Sequence, residues 1–218
     1  MNMPITFFQI GTNDGNDLFN KLVHKYIPDC IILVEPNKDL IDKIKKNYST
    51  MKNVYIYNNA IYYTDDEDID LYIPAKNGVI GTIAENGLIY SDSHFSLVPM
   101  NDWGNKNDMV KITTKSITFD TICSIHGITN IDYLQIDTEG FDSEIIKMID
   151  FSKYKINTIR FEKWPFKSNL FTDHNRQLAH DLGECGLLNA INKLKDNSYI
   201  INEINDSDGN DIIAKLNI

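Results

Sequence analysis

The chain predicts an α/β domain built on a mostly parallel sheet, and three observations carry that prediction. Short apolar runs of strand length alternate with segments whose apolar residues recur at helical spacing. One run, CIILVE at 30–35, is apolar almost throughout, as a strand covered on both faces must be. The last two runs flank a turn-rich NDSDGN and read as an antiparallel hairpin closing the sheet. With 218 residues, no internal repeat, no Pro-rich linker and no break in composition, 1–218 reads as a single domain.

In order along the chain, ITFFQI (5–10) is a short buried strand, and GNDLFNKLVHKY (15–26) is a helix with Leu18, Leu22 and Val23 on one face. Pro36 ends the second strand, and NKDLIDKIKKNY (37–48) is an amphipathic helix through Leu40, Ile41 and Ile44. NVYIYNNAIYY (53–63) is the third strand, followed by an acidic turn and the strand IDLYIP (69–74). Residues 75–110 are rich in Gly, Asn, Ser and Asp and show no period, which marks a long functional or mobile loop, expected to shape the acceptor pocket. Regularity returns with KITTKSIT (111–118), and Asp120 is a candidate cap for a short helix over 121–126. IDYLQID (131–137) is a strand, FDSEIIKMI (141–149) a helix and NTIRFEKW (157–164) a strand. TDHNRQLAHDLGECG (172–186) reads as a helix stopping near Gly183 or Gly186, before the hairpin of SYIINEI and DIIAKLNI. Strands alternating with helices imply right-handed crossovers.

Hydrophobic residues make up 42% and charged residues 24%, an ordinary globular balance. No apolar run approaches the roughly 20 residues of a membrane span. The opening MNMPITFFQIG lacks the basic flank and cleavage site of a signal peptide. Cys30, Cys123 and Cys185 are scattered with no CxxC spacing, which points to buried thiols in a reducing, cytoplasmic setting. A net charge of −10 repels a polyphosphate backbone and argues against nucleic acid as the substrate. Oligomeric state leaves no mark in the sequence.

The chemistry begins at the first strand's end. The turn Gly11-Thr12-Asn13-Asp14-Gly15 sits at the carboxyl edge of the sheet, where open α/β folds bind ligands, and its glycines let a ligand approach the main chain. The following helix end suits an anion. A dinucleotide fingerprint needs Gly-x-Gly-x-x-Gly, but Asn13 occupies the second glycine's place. Asp14 would repel a pyrophosphate and would favour an ammonium or sulfonium, as in S-adenosylmethionine. Glu35, ending the second strand before Pro36, can accept hydrogen bonds from ribose hydroxyls in either cofactor class.

Five stretches in order, FFQIGTNDG (7–15), ILVEPN (32–37), NNAIY (58–62), SITFDTI (116–122) and IDYLQIDTEGFDSEII (131–146), with IRFEKW (159–164) behind them, resemble the FkbM-type family of S-adenosylmethionine-dependent methyltransferases. The resemblance covers about residues 5–165, and the IDTEG element is its most specific part. It implies a Rossmann-like class I methyltransferase fold, a seven-stranded sheet ending in an antiparallel hairpin. It implies cofactor contacts from Gly11, Thr12, Asn13, Asp14 and Gly15, ribose contact from Glu35 beside Pro36, and adenine-side contacts from Asn59 and Ala60. Many class I members carry an acid where this chain has Gln9, whose amide can still orient the loop. The resemblance also suggests a sugar hydroxyl in a glycan precursor as acceptor.

Methyl transfer to a hydroxyl gains from a general base, and Asp137, Glu139 and Glu162 end the strands where one belongs. Glu139 reads equally as a first-turn carboxylate favoured by the helix dipole, whereas an ionised Asp137 ending a buried strand needs a functional reason. Acids so placed also resemble the divalent-metal ligands of catechol-type O-methyltransferases; Mg²⁺ would suit them, though two acids do not establish it. His94 is a further catalytic candidate from the long loop, and His174 another; His24, His126 and His180 read as surface or packing residues. Trp103, Trp164 and Phe95 read as a stacking wall or as core. Two other readings share the same turn and Glu35: a nicotinamide-dependent oxidoreductase, and a non-catalytic cofactor-binding module.

Overall fold

In chain order the strands are β1 (Thr6–Ile10), β2 (Cys30–Val34), β3 (Val54–Tyr57), β4 (Ala60–Ile61), β5 (Asp68–Pro74), β6 (Met109–Ile117), β7 (Asn130–Ile136), β8 (Lys155–Glu162), β9 (Tyr199–Asp206) and β10 (Gly209–Leu216). The helices are α1 (Leu18–Tyr26), α2 (Ile41–Asn47), α3 (Phe119–Ile125), α4 (Asp142–Met148) and α5 (Glu184–Asp196). The computed structural model describes residues 4–74, 96, 109–163, 182–206 and 209–217.

Seven strands form one sheet in the order β3-β2-β1-β7-β8-β10-β9. The first five are parallel, and β10 enters antiparallel between β8 and β9. The strand order turns around at β1, with β2 on one side and β7 on the other. The carboxyl ends of those three strands are therefore where a crevice opens.

Alternation along the strands splits the core in two. Phe7, Ile31 and Leu33 pack with Phe19 and Val23 of α1 and with Ile44 of α2. Phe8, Ile10, Leu134, Ile136 and Phe161 face the other way, onto Ile122 of α3, Ile145 of α4 and Leu194 of α5. Ile31 through Val34 are each at most 1% exposed, because both sheet faces are covered.

The architecture agrees with the one expected from sequence, and several boundaries differ. The single strand expected over 53–63 breaks at Asn58, whose side-chain amide donates to the carbonyls of Glu35 (2.9 Å) and Pro36 (3.0 Å). Beyond the break, β4 leaves the main sheet and joins β6 and β5 in a second sheet of three strands. The cap of α3 is Thr118, whose hydroxyl oxygen accepts from the Thr121 N–H at 3.0 Å. Asp120 instead accepts from the Tyr154 hydroxyl at 2.5 Å and pairs with Lys153.

The helix expected over 172–186 lies mostly outside the described residues. A break does fall at Gly183, but α5 starts there and runs straight through Gly186. Cys123 is buried as expected, Cys30 is half-buried and Cys185 is exposed. No helix among the described residues is long and apolar enough to cross a membrane.

Candidate active site

The turn after β1 is shaped by contacts that leave no room for a side chain. Gly11 has φ +79°, and a Cβ on it would lie 1.7 Å from the carbonyl oxygen of Asp137. The N–H groups of Gly11 and Thr12 both donate to the Val34 carbonyl, at 2.9 and 3.1 Å. The Thr12 hydroxyl donates to the same oxygen at 3.3 Å, so this buried side chain braces the turn from behind. Asp14 turns its carboxylate back to accept from the Asn16 N–H at 2.9 Å, and Gly15 packs on the Tyr48 ring. Gln9 donates to Asp17 at 2.5 Å, and Asp17 caps α1 by accepting from the Asn20 N–H. The neutral amide thus orients the loop through the helix cap.

Glu35 is 4% exposed. Its two oxygens accept from the N–H of Asn13 (2.7 Å) and of Asn37 (2.8 Å), clamping the first two βα loops together. Burial pushes its carboxyl up to about 7, although both N–H bonds favour the charged form. Each oxygen keeps a lone pair for a ligand hydroxyl.

These loops form one wall of an open cleft. Gly11, Asn13, Glu35, Pro36, Asn59 and Ala60 line that wall. Ile10, Ile61, Leu71 and Phe141 supply apolar surface, while Asp137, Thr138 and Glu139 face them from β7.

The far wall is tied down by Asp142. This fully buried carboxylate accepts from the Thr138 N–H (2.8 Å), the Thr138 hydroxyl and the Glu162 N–H (3.1 Å), so it pins the tip of β7 to the tip of β8. Glu139 sits at φ +52°, a costly conformation for a non-glycine residue, and its carbonyl accepts from the Ser96 hydroxyl at 2.7 Å. The outcome is a cluster in which carboxylate oxygens of Asp137, Glu139 and Glu162 all lie within 4.8 Å of one another.

Burial first, and then the neighbouring acids, hold all three carboxyls above the usual carboxylate range, Asp137 at about 8. Asp137 is open to the cleft, yet protein surrounds the cleft, so its charge is poorly solvated. One oxygen of Glu162 is sealed from solvent with no hydrogen-bond partner among the described residues. A second cavity of about 300 Å³ lies against the same cluster, lined by Asp17, Lys21, Gln135, Asp137 and Glu162.

Of the residues singled out in the sequence, Gly11, Asn13, Glu35, Pro36, Asn59, Ala60, Asp137 and Glu139 therefore meet around one cleft. Thr12, Asp14 and Gly15 form the turn behind it, and Glu162 reaches the acidic cluster from β8. His94, His174, Phe95, Trp103 and Trp164 fall outside the described residues. Sequence reasoning missed Asp142, Ser96, Leu71 and Phe141. Asp142 had a readable signal as an acid two residues after the glycine of IDTEG, whereas Ser96 stands in a patternless stretch.

Among solved structures, precorrin-6y C5,15-methyltransferase from Geobacter metallireducens is similar at 11% identity and TM-score 0.45, over 99% of this chain and 82% of that one. A candidate methyltransferase from Streptococcus mutans, solved in complex with SAH, is similar at 7% identity and TM-score 0.48, over 98% and 89%. The ribosomal protein L11 methylase from Lactobacillus delbrueckii subsp. bulgaricus is similar at 10% identity and TM-score 0.43, over 100% and 73%. A search among curated proteins found no match. The decisive comparison is at the level of the family: matched from residue 9 to residue 186 by the model of the methyltransferase FkbM domain, the chain belongs to that family of S-adenosylmethionine-dependent methyltransferases.

Proposed function

We propose that this methyltransferase methylates a hydroxyl group of a sugar or glycan precursor. The observation that carries the reading is the cluster of Asp137, Glu139 and Glu162 at the edge of the donor cleft. Membership in a methyltransferase family favours methyl transfer over the nicotinamide-dependent and non-catalytic alternatives.

In this reading the donor's ribose lies on Glu35, its adenine lies between Pro36, Asn59 and Ala60, and its amino-acid end meets the Gly11–Asn13 turn. The sulfonium then sits beside Asp137, where opposite charge is favoured. The acceptor oxygen attacks the methyl carbon and the carbon–sulfur bond breaks. Its electron pair stays on sulfur, and the hydroxyl proton passes to a carboxylate of the cluster. Base assistance of this kind is worth about 10²–10⁴ in rate, and fixed alignment of the two reactants adds to it. An acid held well above its usual range is a better proton acceptor than an ordinary surface carboxylate.

Three hard-oxygen ligands within 4.8 Å of one another also fit a divalent cation such as Mg²⁺. Bound there, it would lower the pKa of an acceptor hydroxyl. The net charge of −10 supports a small-molecule or glycan acceptor over nucleic acid.

Calorimetric titration with S-adenosylhomocysteine, with and without Mg²⁺, is the direct test, followed by transfer of a labelled methyl group to simple glycosides. Micromolar binding and label in an ether-linked methyl group are expected. Label that appears only on protein, on nucleic acid or on nitrogen would sink the hydroxyl reading.

Glu35→Gln supplies a sharper check of the donor wall. The amide nitrogen must point at one of two backbone N–H donors, so one clamp is lost and a buried N–H is orphaned. We expect S-adenosylhomocysteine affinity to fall at least about tenfold, with a stability loss of about 1–3 kcal/mol. Unchanged calorimetric affinity would show that the clamp is irrelevant to the donor.

A further inference from the structure

Two cavities meet at Asp137. The first is the donor cleft; the second opens on the α1 side of the sheet, beyond the edge of α1. Period two along β7 puts Gln135 and Asp137 on the same face, and Arg160 and Glu162 follow on β8. A strand face buried under a helix would carry apolar residues at these places. Here they are polar, which leaves a cavity with a hydrogen-bonding lining.

Two of its lining groups are oxygens with nothing to accept. Gln135 is 7% exposed and among the described residues its amide oxygen has no partner, and one oxygen of Glu162 is equally orphaned. Sealed oxygens of this kind destabilise the fold unless something brings O–H or N–H groups to them. The charges point the same way. Arg160 is engaged by Asp211 in a buried ion pair, so its positive charge is already matched. Asp17, Asp137 and Glu162 face Lys21 there, so an anion would either meet their charge or have to hold them protonated.

We infer that this second cavity is the acceptor subsite, and that it selects a hydroxyl-rich or amino-bearing acceptor and rejects a phosphorylated one. The inference rests on the methyl-transfer reading above. Displacement at a methyl carbon requires the acceptor on the side opposite the sulfur, and among the described residues this cavity adjoins the donor cleft at Asp137, within reach of the donor's methyl end.

The test pairs an acceptor panel with two variants. The panel contains methyl glycosides of common hexoses and deoxyhexoses, their 2-amino counterparts, and the matching sugar 1-phosphates, each incubated with labelled S-adenosylmethionine. Transfer to neutral or amino glycosides in preference to the phosphates is expected. Transfer to the phosphates alone, or to no member, overturns the inference, and parallel S-adenosylhomocysteine titration shows whether donor binding itself survives.

Gln135→Leu removes an orphaned oxygen and so should fold at least as well as the parent. Its acceptor KM should rise about five- to tenfold, as for one lost hydrogen bond, with kcat and S-adenosylhomocysteine affinity unchanged. Lys21→Glu, on an exposed position at the cavity mouth, should shift preference toward amino glycosides by several fold. Weakened S-adenosylhomocysteine binding with unchanged acceptor KM in Gln135→Leu would place the donor's amino-acid end in this cavity and refute the assignment.

Discussion

Gly11→Ala is expected to lose S-adenosylhomocysteine binding altogether and to unfold about 3 kcal/mol more easily than the parent. Two costs combine. An alanine at φ +79° occupies the left-handed region at a penalty of about 1–2 kcal/mol. Its Cβ would also stand 1.7 Å from the Asp137 carbonyl oxygen, deep inside van der Waals contact, so the backbone must move. That movement is opposed on both sides, because the Asp137 N–H donates to Ile10 at 2.9 Å and the Gly11 N–H donates to Val34 at 2.9 Å. Overpacking of this sort adds about 1–3 kcal/mol. For a chain of this size the midpoint of thermal unfolding should drop by about 10 °C. Gly15→Ala is the matched control: its φ is +74°, but its Cβ would meet the edge of the Tyr48 ring at 3.0 Å and the Ile44 Cα at an ordinary contact distance of 3.5 Å. It should lose about 1–2 kcal/mol and keep measurable binding. If calorimetry finds Gly11→Ala binding the ligand as the parent does, the turn is not the donor site.

Gly11 was readable in advance because of where it stands, at the end of an apolar run and before a helix. The same logic located Glu35 and Asp137, for a strand's end is set by local pattern and the parallel sheet then brings all such ends to one edge. The closing hairpin was equally local, with turn residues between two alternating runs. What could not be read were features decided by partners distant in sequence. Nothing in NVYIYNNAIYY says that it must break, since apolar residues continue on both sides. The break comes from the Asn58 amide finding two carbonyls at 35 and 36. Thr118 and Asp120 are both good capping residues, and the choice between them fell to Lys153 and Tyr154, which engage Asp120.

Other misses were readable in principle. Leu187, Ala190, Ile191 and Leu194 carry the helical spacing of α5, yet the glycines at 183 and 186 suggested a stop. At the site, Asp142 stands in the first turn of α4, where an acid complements the helix dipole whatever else it does. Its three hydrogen bonds to Thr138 and to the Glu162 N–H become visible only once β7 and β8 are adjacent. The cluster of three acids is therefore a product of topology: Glu162 is 25 positions from Asp137 in sequence and within a few ångströms of it in space.

Asp137→Asn should separate catalysis from stability at this one position. If Asp137 is the base, kcat falls by about 10²–10⁴. The fold, in contrast, gains. In metal-free protein the protein walls around the cleft, and then the charges of Asp142 and Asp211, push the Asp137 carboxyl up to about 8 in the folded state against 3.8 when free of its surroundings. Because the side chain is open to solvent, only part of that shift reaches stability. Below the lower of these values both states carry the proton and the group has no effect on stability. As pH rises between them the unfolded chain releases the proton and the folded chain retains it, so the folded state is progressively penalised; above about 8 the penalty is complete. Asparagine carries no charge and escapes it. The midpoint of Asp137→Asn in EDTA should therefore match the parent near pH 3 and exceed it by a few degrees near pH 9, while the parent's kcat/KM climbs with pH toward the same range. Added Mg²⁺ should narrow the gap at high pH if the cluster holds a cation, because a bound divalent charge favours the ionised parent. A residue that only supported the fold would lose stability and turnover together, and differential scanning calorimetry across that pH range beside a turnover assay would show it. Opposite signs at a single side chain are what a catalytic acid held against its own electrostatics must produce.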